Sequence, residues 1–179
     1  MNIFVTSPCP RISAQALDNK RVVKMVLETA QLLSTAIFIN STIAYDDIYK
    51  PTHIKHPCTV WTALNLGNWD WLFKHFVALC EEYNFRYSKQ HASEKILPYL
   101  LKHRTYIKSG SITAFANCTR SEALQVDFTQ TKDTCEAYKQ YLTAKWHHDK
   151  LPPKWINREA PLWYNVLDSL QTKITQQHK

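Results

Sequence analysis

Apolar side chains recur at steps of three and four along much of this chain, which is the period of an α-helix. The clearest case lies between residues 68 and 89, where the apolar set is Trp69, Leu72, Phe73, Phe76, Leu79, Cys80 and Tyr83. Shorter helices are predicted at residues 58–66, at 91–101 with a stop or kink at Pro98, at 134–146 and at 162–176.

The N-terminal region predicts one long helix behind a short extended segment. Residues 3–5 are apolar, and Pro10 then interrupts the pattern. Ser13 is the predicted N-cap of a helix that continues to about Phe38 and ends near Ser41, because a serine side chain can satisfy the first free amide groups of a helix.

Two stretches, residues 40–58 and 105–131, follow no period and are predicted to be long irregular connections. Only two glycines occur in the chain, and tight β-turns normally require more. No repeat or linker divides the sequence. The predicted fold class is therefore mainly α, with residues 1–179 forming a single compact helical domain that has a long central helix and long irregular connections.

The chain carries 22 Lys and Arg residues against 15 Asp and Glu, a formal net charge of +7. This basic surplus favours a polyanionic partner such as nucleic acid, although it also serves solubility alone. The five cysteines are odd in number and have no CxxC spacing, which predicts reduced thiols in a cytoplasmic protein. No apolar run approaches the length of a membrane span and no export signal is recognisable, so no membrane partner is expected.

The stretch DNKRVVKMVLETAQLL, residues 18–33, predicts a helix with an unusually narrow polar face. On a helical wheel, an arc of about 100° holds Lys20, Arg21, Lys24, Glu28, Gln31 and Thr35. Apolar residues fill most of the remaining circumference, which is typical of a central helix whose polar strip reaches an opening. Lys24 and Glu28 are one turn apart and can pair, either within a site or as a solvated ion pair.

The segment PTHIKHPCTVW brings together His53, His56 and Cys58, all of them residue types that bind zinc. A fourth ligand at a familiar spacing is missing, so no metal is expected, and His56 is predicted to contact DNA or to form a local hydrogen bond. The next segment, NLGNWDW, offers Asn65 and Asn68 as helix caps, and Asn68 is the preferred candidate.

Two further basic clusters are candidates for binding phosphate. Arg86, Lys89 and His91 follow the second long helix, where cations also suit the helix dipole. Near the C-terminus, Lys154 and Trp155 belong to KWHHDKLPPKWINR, which interleaves basic and aromatic residues. The charges of this segment could hold a DNA backbone while a ring fills the gap left by a flipped base, or the segment could clamp the C-terminus onto the core.

The N-terminal MNIFV and the block from Asp18 through Lys24 to Glu28 and Gln31 resemble the pyrimidine-dimer DNA glycosylases, the phage endonuclease V-like family. The same block occurs in phage proteins that also carry motifs like HPCTVW, NWDWLF and AYKQYL. In the family, an N-terminal α-amine attacks C1′ of the damaged nucleotide and a helix glutamate moves protons. The resemblance implies that Glu28 is the catalytic acid/base group and that the amine of Met1 or Asn2 is the nucleophile.

This chain departs from the family at both parts of that machinery. The family nucleophile is a threonine exposed by loss of the initiator methionine, whereas Asn2 is second here and is too large for the usual removal of Met1. Leu27 and Gln31, with Ile3 near the start, occupy positions where the family has arginines that grip phosphate. Glycosylase activity is therefore expected, with weak or absent AP-lyase activity.

The sequence thus predicts a monomeric DNA glycosylase that flips a damaged or bulky modified base out of double-stranded DNA and excises it without a metal or organic cofactor. It is expected in the cytoplasm of a bacterial host or a phage-infected cell, for repair or for anti-phage defence. The alternative is a basic, non-catalytic module that binds DNA or protein. The predicted DNA contacts are Lys20, Arg21, Lys24, Gln31, His56, Arg86, Lys89, His91, Lys154 and Trp155.

Overall fold

The computed structural model describes residues 1–165, and these form a mainly α fold, as predicted. The α-helices are α1 (Pro10–Ala16), α2 (Asn19–Ser41), α3 (Pro57–Leu64), α4 (Leu66–Tyr87), α5 (Leu97–His103) and α6 (Thr134–His148). Short 3-10 helices span Ala92–Ile96 and Arg104–Tyr106. An antiparallel pair, β1 (Arg120–Ser121) and β2 (Val126–Asp127), interrupts the otherwise irregular connection before α6.

Helix α2 is the centre of the core, as its wide apolar face predicts. It packs against α3 and α4, and α1 also packs against α4. Side chains with no exposed area, among them Val22, Val26, Leu32 and Leu33, surround most of its circumference. By length and composition alone α2 could cross a membrane, which corrects the expectation that no segment could; however, 61% of its apolar window is buried inside the protein.

The predicted single helix from Ser13 to about Phe38 is wrong, because the chain breaks between α1 and α2. Leu17 and Asp18 have extended backbone angles, and Leu17 is fully buried. Ser13 lies inside α1, where its Oγ bonds both the amide and the carbonyl of Ser7. Helix α1 instead starts at Pro10, whose ring suits the first helical position.

Two other helix boundaries also differ from prediction. The cap of α4 is Asn65, whose Oδ1 accepts a 3.0 Å hydrogen bond from the amide of Asn68. Asn68 is fully buried and its side chain bonds the Trp61 carbonyl and Thr113 instead. The helix predicted at 91–101 is a 3-10 helix followed directly by α5, and Pro98 lies in the first turn of α5 rather than stopping a helix.

After α6 the chain folds back over the junction of α1 and α2. Trp155 donates from Nε1 to the Ala16 carbonyl, and the Asn19 amide donates to the Lys154 carbonyl at 2.8 Å. Trp146 contacts the Trp155 ring edge to face. This segment therefore packs onto the core, which is one of the two interpretations that its sequence allowed. Of the helix predicted at 162–176, residues 162–165 are helical and the remainder lies outside the described residues.

Both glycines of the chain lie at one close approach, between the start of α4 and the loop at residues 108–112. The Gly67 amide donates to the Gly110 carbonyl at 2.9 Å. A Cβ on Gly67 would lie 2.2 Å from the backbone nitrogen of Ile112, and one on Gly110 would lie 2.7 Å from the Cβ of Asn65. The scarce glycines thus serve backbone packing rather than turns.

Gly67→Ala should destabilise the protein by about 1–3 kcal/mol, because the added methyl group overlaps backbone that cannot rotate away. The sign of the change is the test: in a helix without this contact, alanine is more favourable than glycine by about 1 kcal/mol. Urea denaturation of the two proteins measures the difference in the free energy of unfolding. Equal or greater stability of the alanine variant would contradict this packing.

His75 makes the fold sensitive to acid. Its side chain is fully buried, and Nδ1 donates to the Pro10 carbonyl at 2.9 Å. Burial lowers the pKa of His75 to about 4. Between its ordinary pKa and this value the unfolded chain takes up a proton that the folded protein does not, so stability falls as the pH drops through that interval.

The free energy of unfolding should therefore fall by roughly 3 kcal/mol on account of His75 between pH 7 and pH 4. His75→Gln keeps a donor for Pro10 but cannot titrate. Urea denaturation at several pH values should give a smaller acid loss for the variant than for the unmodified protein. The same pH dependence in both proteins would contradict this assignment.

Candidate active site

The polar strip of α2 opens into a cavity of about 320 Å³ between the N-terminal segment, α2 and α6. Its lining is Met1, Asn2, Phe4, Lys20, Arg21, Lys24, Met25, Glu28, Tyr141, Lys145 and Asp149. The cavity joins one end of the chain to residues more than a hundred positions away. It therefore exists only in the folded protein.

Glu28 lies at the base of this cavity between two cations. Its Oε1 is 3.1 Å from Lys24 Nζ, and its Oε2 is 3.7 Å from the Met1 amine. The pairing with Lys24 is as predicted, but the glutamate side chain is only 12% exposed, so the contact is not an ordinary solvated ion pair. A mostly buried carboxylate beside an amine can exchange protons with it or with a bound reactant.

The N-terminal segment is held in place by Asn2. The side-chain Oδ1 of Asn2 accepts from the amides of Ile3 and Phe4, and Nδ2 donates to the carbonyl of Cys118. Phe4 has a φ of 40°, and Ile3 is fully buried. These contacts turn the chain so that the Met1 amine lies next to Glu28.

A network of ion pairs between side chains lines the cavity between α2 and α6. Arg21 is buried, and its Nη1 lies 2.9 Å from Asp18 and from Asp149. Lys20 also pairs with Asp149 at 2.8 Å. Burial opposes ionisation of Asp149, but hydrogen bonds from Lys20 and Arg21 lower its pKa below the ordinary value. Arg21 and Lys20 are thus already neutralised in part.

Helix α6 contributes residues to the site that sequence reasoning did not assign to it. Tyr141 and Lys145 are four apart and share one helix face, and Asp149 follows as the C-cap of α6. Burial, and after it the charge of Arg21, lowers the pKa of Lys145. This spacing is visible in the sequence, but nothing there indicates that the face points at α2.

Next to the N-terminal segment, the structure brings Cys118 to the pair His56 and Cys58. His56 Nδ1 accepts from the Cys58 amide at 3.2 Å and so caps α3, while the Cys58 and Cys118 sulfurs are 3.5 Å apart. One ligand atom from each of the three residues lies within 4.8 Å of the others. His53 is exposed and is not part of this group.

The two thiols of this group differ in acidity. The hydrogen bond from Cys58 lowers the pKa of Cys118 to about 7, against the opposing effect of burial. The same hydrogen bond, and then burial, raises the pKa of Cys58. The pKa of His56 is lowered by burial and by the positive charge of the terminal amine. All five cysteines are free thiols.

Several predicted DNA contacts lie outside the cavity. Gln31 is half-buried on α2, Lys89 is exposed beyond α4, and His91 caps the first 3-10 helix by accepting from the Ser93 amide. The Arg86 side chain has no exposed area and bonds Glu82, Asn19 and the Gln15 carbonyl.

Arg86 therefore joins α4 to α1 and α2, and a phosphate could not reach it in this conformation. Lys154 and Trp155 lie in the C-terminal clamp. Lys154 lines a second cavity of about 750 Å³, which shares Lys20 and Asp149 with the first.

A helical fold with a carboxylate, an amine and several cations around one cavity defines a protein suited to acid–base chemistry on a polyanion. The model of the pyrimidine dimer DNA glycosylase family matches residues 1–95, which is 95 of the 179 residues. The chain belongs to this family. No curated protein and no solved structure matches it.

The matched region contains Met1, Glu28 and the helices from α1 to α4, whereas α6 and Cys118 lie beyond it. Family membership indicates a DNA glycosylase-type function with DNA as the substrate. The family expected from the sequence is thereby confirmed.

Proposed function

We propose that this protein flips a damaged or bulky modified base out of duplex DNA and excises it, with Glu28 as the acid/base group and the Met1 amine as the nucleophile. The observation that carries the proposal is the 3.7 Å contact between this amine and Glu28 within a basic cavity. A nucleophile and a proton-transfer group within reach of one another are what covalent glycosylase chemistry requires.

In the proposed reaction, Glu28 takes a proton from the Met1 ammonium. The amine nitrogen then bonds to C1′ as the bond from C1′ to the base breaks, and the base leaves with the electron pair and takes the proton held by Glu28. A second proton passes from the amine nitrogen through Glu28 to the sugar ring oxygen, which opens the ring to an imine. Hydrolysis of the imine frees the amine and releases an abasic site.

The cations around the cavity suit a DNA backbone. Lys24 is 70% exposed and Lys145 is half-buried beside it, so both can meet phosphates at the mouth. The adjoining cavity is lined by Lys150 and Lys154 and by the largely exposed Leu151. The two cavities share Lys20 and Asp149, and we propose that the strand lies across both.

The size of the site bears on the substrate. A volume of about 320 Å³ is near the lower end of the range of roughly 300–1,000 Å³ for small-molecule pockets. We propose that one extruded base occupies this cavity. Free thiols throughout support the cytoplasmic setting that we propose, in a bacterial or phage-infected cell.

Glu28→Gln should lower the rate of abasic-site formation by about 10²–10⁴-fold, because the amide keeps the shape of the side chain but cannot exchange protons. Binding of the same DNA should change little. The assay compares ultraviolet-irradiated duplex DNA with phage DNA that carries hypermodified bases. Glu81→Gln, in an exposed ion pair with Arg11, is the matched control.

Borohydride trapping separates the two chemical routes. A covalent adduct on the N-terminal peptide would support the amine, whereas abasic sites without an adduct would mean that Glu28 activates water. The intact mass of the protein establishes whether Met1 carries the free amine. If no DNA loses bases, catalysis is excluded and a non-catalytic binding module remains. If Glu28→Gln acts at the normal rate, Glu28 is excluded as the acid/base group.

Lys145→Gln should weaken DNA binding and reduce the dependence of binding on salt, because one phosphate contact is lost. The slope of the logarithm of the association constant against the logarithm of salt concentration should become shallower by about 0.9. Lys74→Gln, an exposed lysine of α4 outside both cavities, is the control. An equal effect in both variants would place the DNA elsewhere.

A further inference from the structure

The cluster of His56, Cys58 and Cys118 is not used by the proposed glycosylase reaction. Two parts of the fold supply it: the start of α3 gives His56 as the N-cap and Cys58 in the first turn, and the connection before β1 gives Cys118. Cys58 is fully buried, whereas His56 and Cys118 are half-buried. The group is therefore enclosed on the side of the core and open on the other.

The two sulfurs stand at a separation that suits a shared metal ion. In a tetrahedral site with zinc–sulfur bonds of about 2.3 Å, two thiolate sulfurs lie about 3.8 Å apart. The observed distance between the Cys58 and Cys118 sulfurs is 3.5 Å. A disulfide would need about 2.05 Å. Both residues are free thiols.

The histidine completes the set with a small adjustment. An imidazole nitrogen and a thiolate sulfur on the same zinc ion lie about 3.6 Å apart, and the cluster keeps its three ligand atoms within 4.8 Å. Coordination through His56 Nδ1 would require it to release its 3.2 Å bond to the Cys58 amide and turn towards the sulfurs. One long hydrogen bond is a small loss against coordination to two thiolates.

The surroundings hold Cys118 ready for this role. Its amide donates to the Tyr138 hydroxyl at 3.2 Å, and its carbonyl accepts from Asn2 at 3.3 Å. Tyr138 is fully buried in α6 and donates in turn to the Ala116 carbonyl. A loop cysteine whose amide and carbonyl are both held by hydrogen bonds can bind a metal ion together with a helix cysteine without a large loss of conformational entropy.

We propose that His56, Cys58 and Cys118 form a three-ligand site for a zinc-class divalent cation, with the fourth position open towards the half-buried side. Two thiolates and an imidazole favour zinc over magnesium or calcium, which prefer oxygen ligands. The ion ties α3 to the connection before β1. Because Asn2 bonds Cys118, the ion also braces the N-terminal segment.

The test uses the full chain, reduced with a phosphine and freed of metal by a chelator, and titrates it with Co²⁺. Charge-transfer absorption from thiolate to cobalt should saturate at one equivalent, and Zn²⁺ should abolish it by displacement. Cys118→Ser and Cys58→Ser should lose the absorption, and His56→Gln should shift the saturation point to higher cobalt. Cys9→Ser, which removes an exposed thiol, is the control and should bind normally.

Circular dichroism checks that each variant is folded. Cys58 is buried, so if its variant does not fold, the half-buried Cys118→Ser decides. The proposal is overturned if the reduced protein gives no thiolate–cobalt absorption, if Cys118→Ser retains it, or if Cys9→Ser loses it. No DNA enters the measurement, so its outcome is independent of the glycosylase proposal.

Discussion

The buried carboxylate of Asp18 is the contact on which the arrangement of the site depends. It is 3% exposed, and its Oδ1 accepts from Arg21 at 2.9 Å and from the Trp146 indole at 2.8 Å. A buried charge is tolerated only with such partners. Because Trp146 belongs to α6 and Arg21 to α2, this one carboxylate separates α1 from α2 and docks α6 beside the polar strip. Asp149 repeats the connection one turn beyond Trp146 by binding Arg21 and Lys20.

The pattern of apolar positions predicted those features that depend on interactions between residues close together in the chain. The three- and four-residue spacing of apolar positions located α4, α6 and the C-terminal end of α2 to within a few residues, and the wheel placed Glu28 on a narrow polar strip. The break before α2 was missed because periodicity continues across it. What ends α1 there is a fully buried Leu17 and an aspartate whose partners include a tryptophan 128 residues away.

The candidate site was only half predictable for the same reason. Met1, Glu28 and Lys24 lie in the N-terminal block, but Lys145 reaches them through the docking of α6. Cys118 is 60 residues from Cys58, in a connection without period, so no spacing rule pairs them. Conversely, Arg86 is a residue type that binds phosphate, but it is enclosed by Glu82 and Asn19. Charge alone does not distinguish a surface cation from a buried one.

Asn2 fixes the course of the N-terminal segment in front of Glu28. Its Oδ1 accepts from the amides of Ile3 and Phe4, and Phe4 has a left-handed φ of 40°. With the segment held in this way, the Met1 amine lies 3.7 Å from Glu28. The reaction that we propose therefore depends on Asn2 for the placement of its nucleophile, although Asn2 itself takes no part in proton transfer.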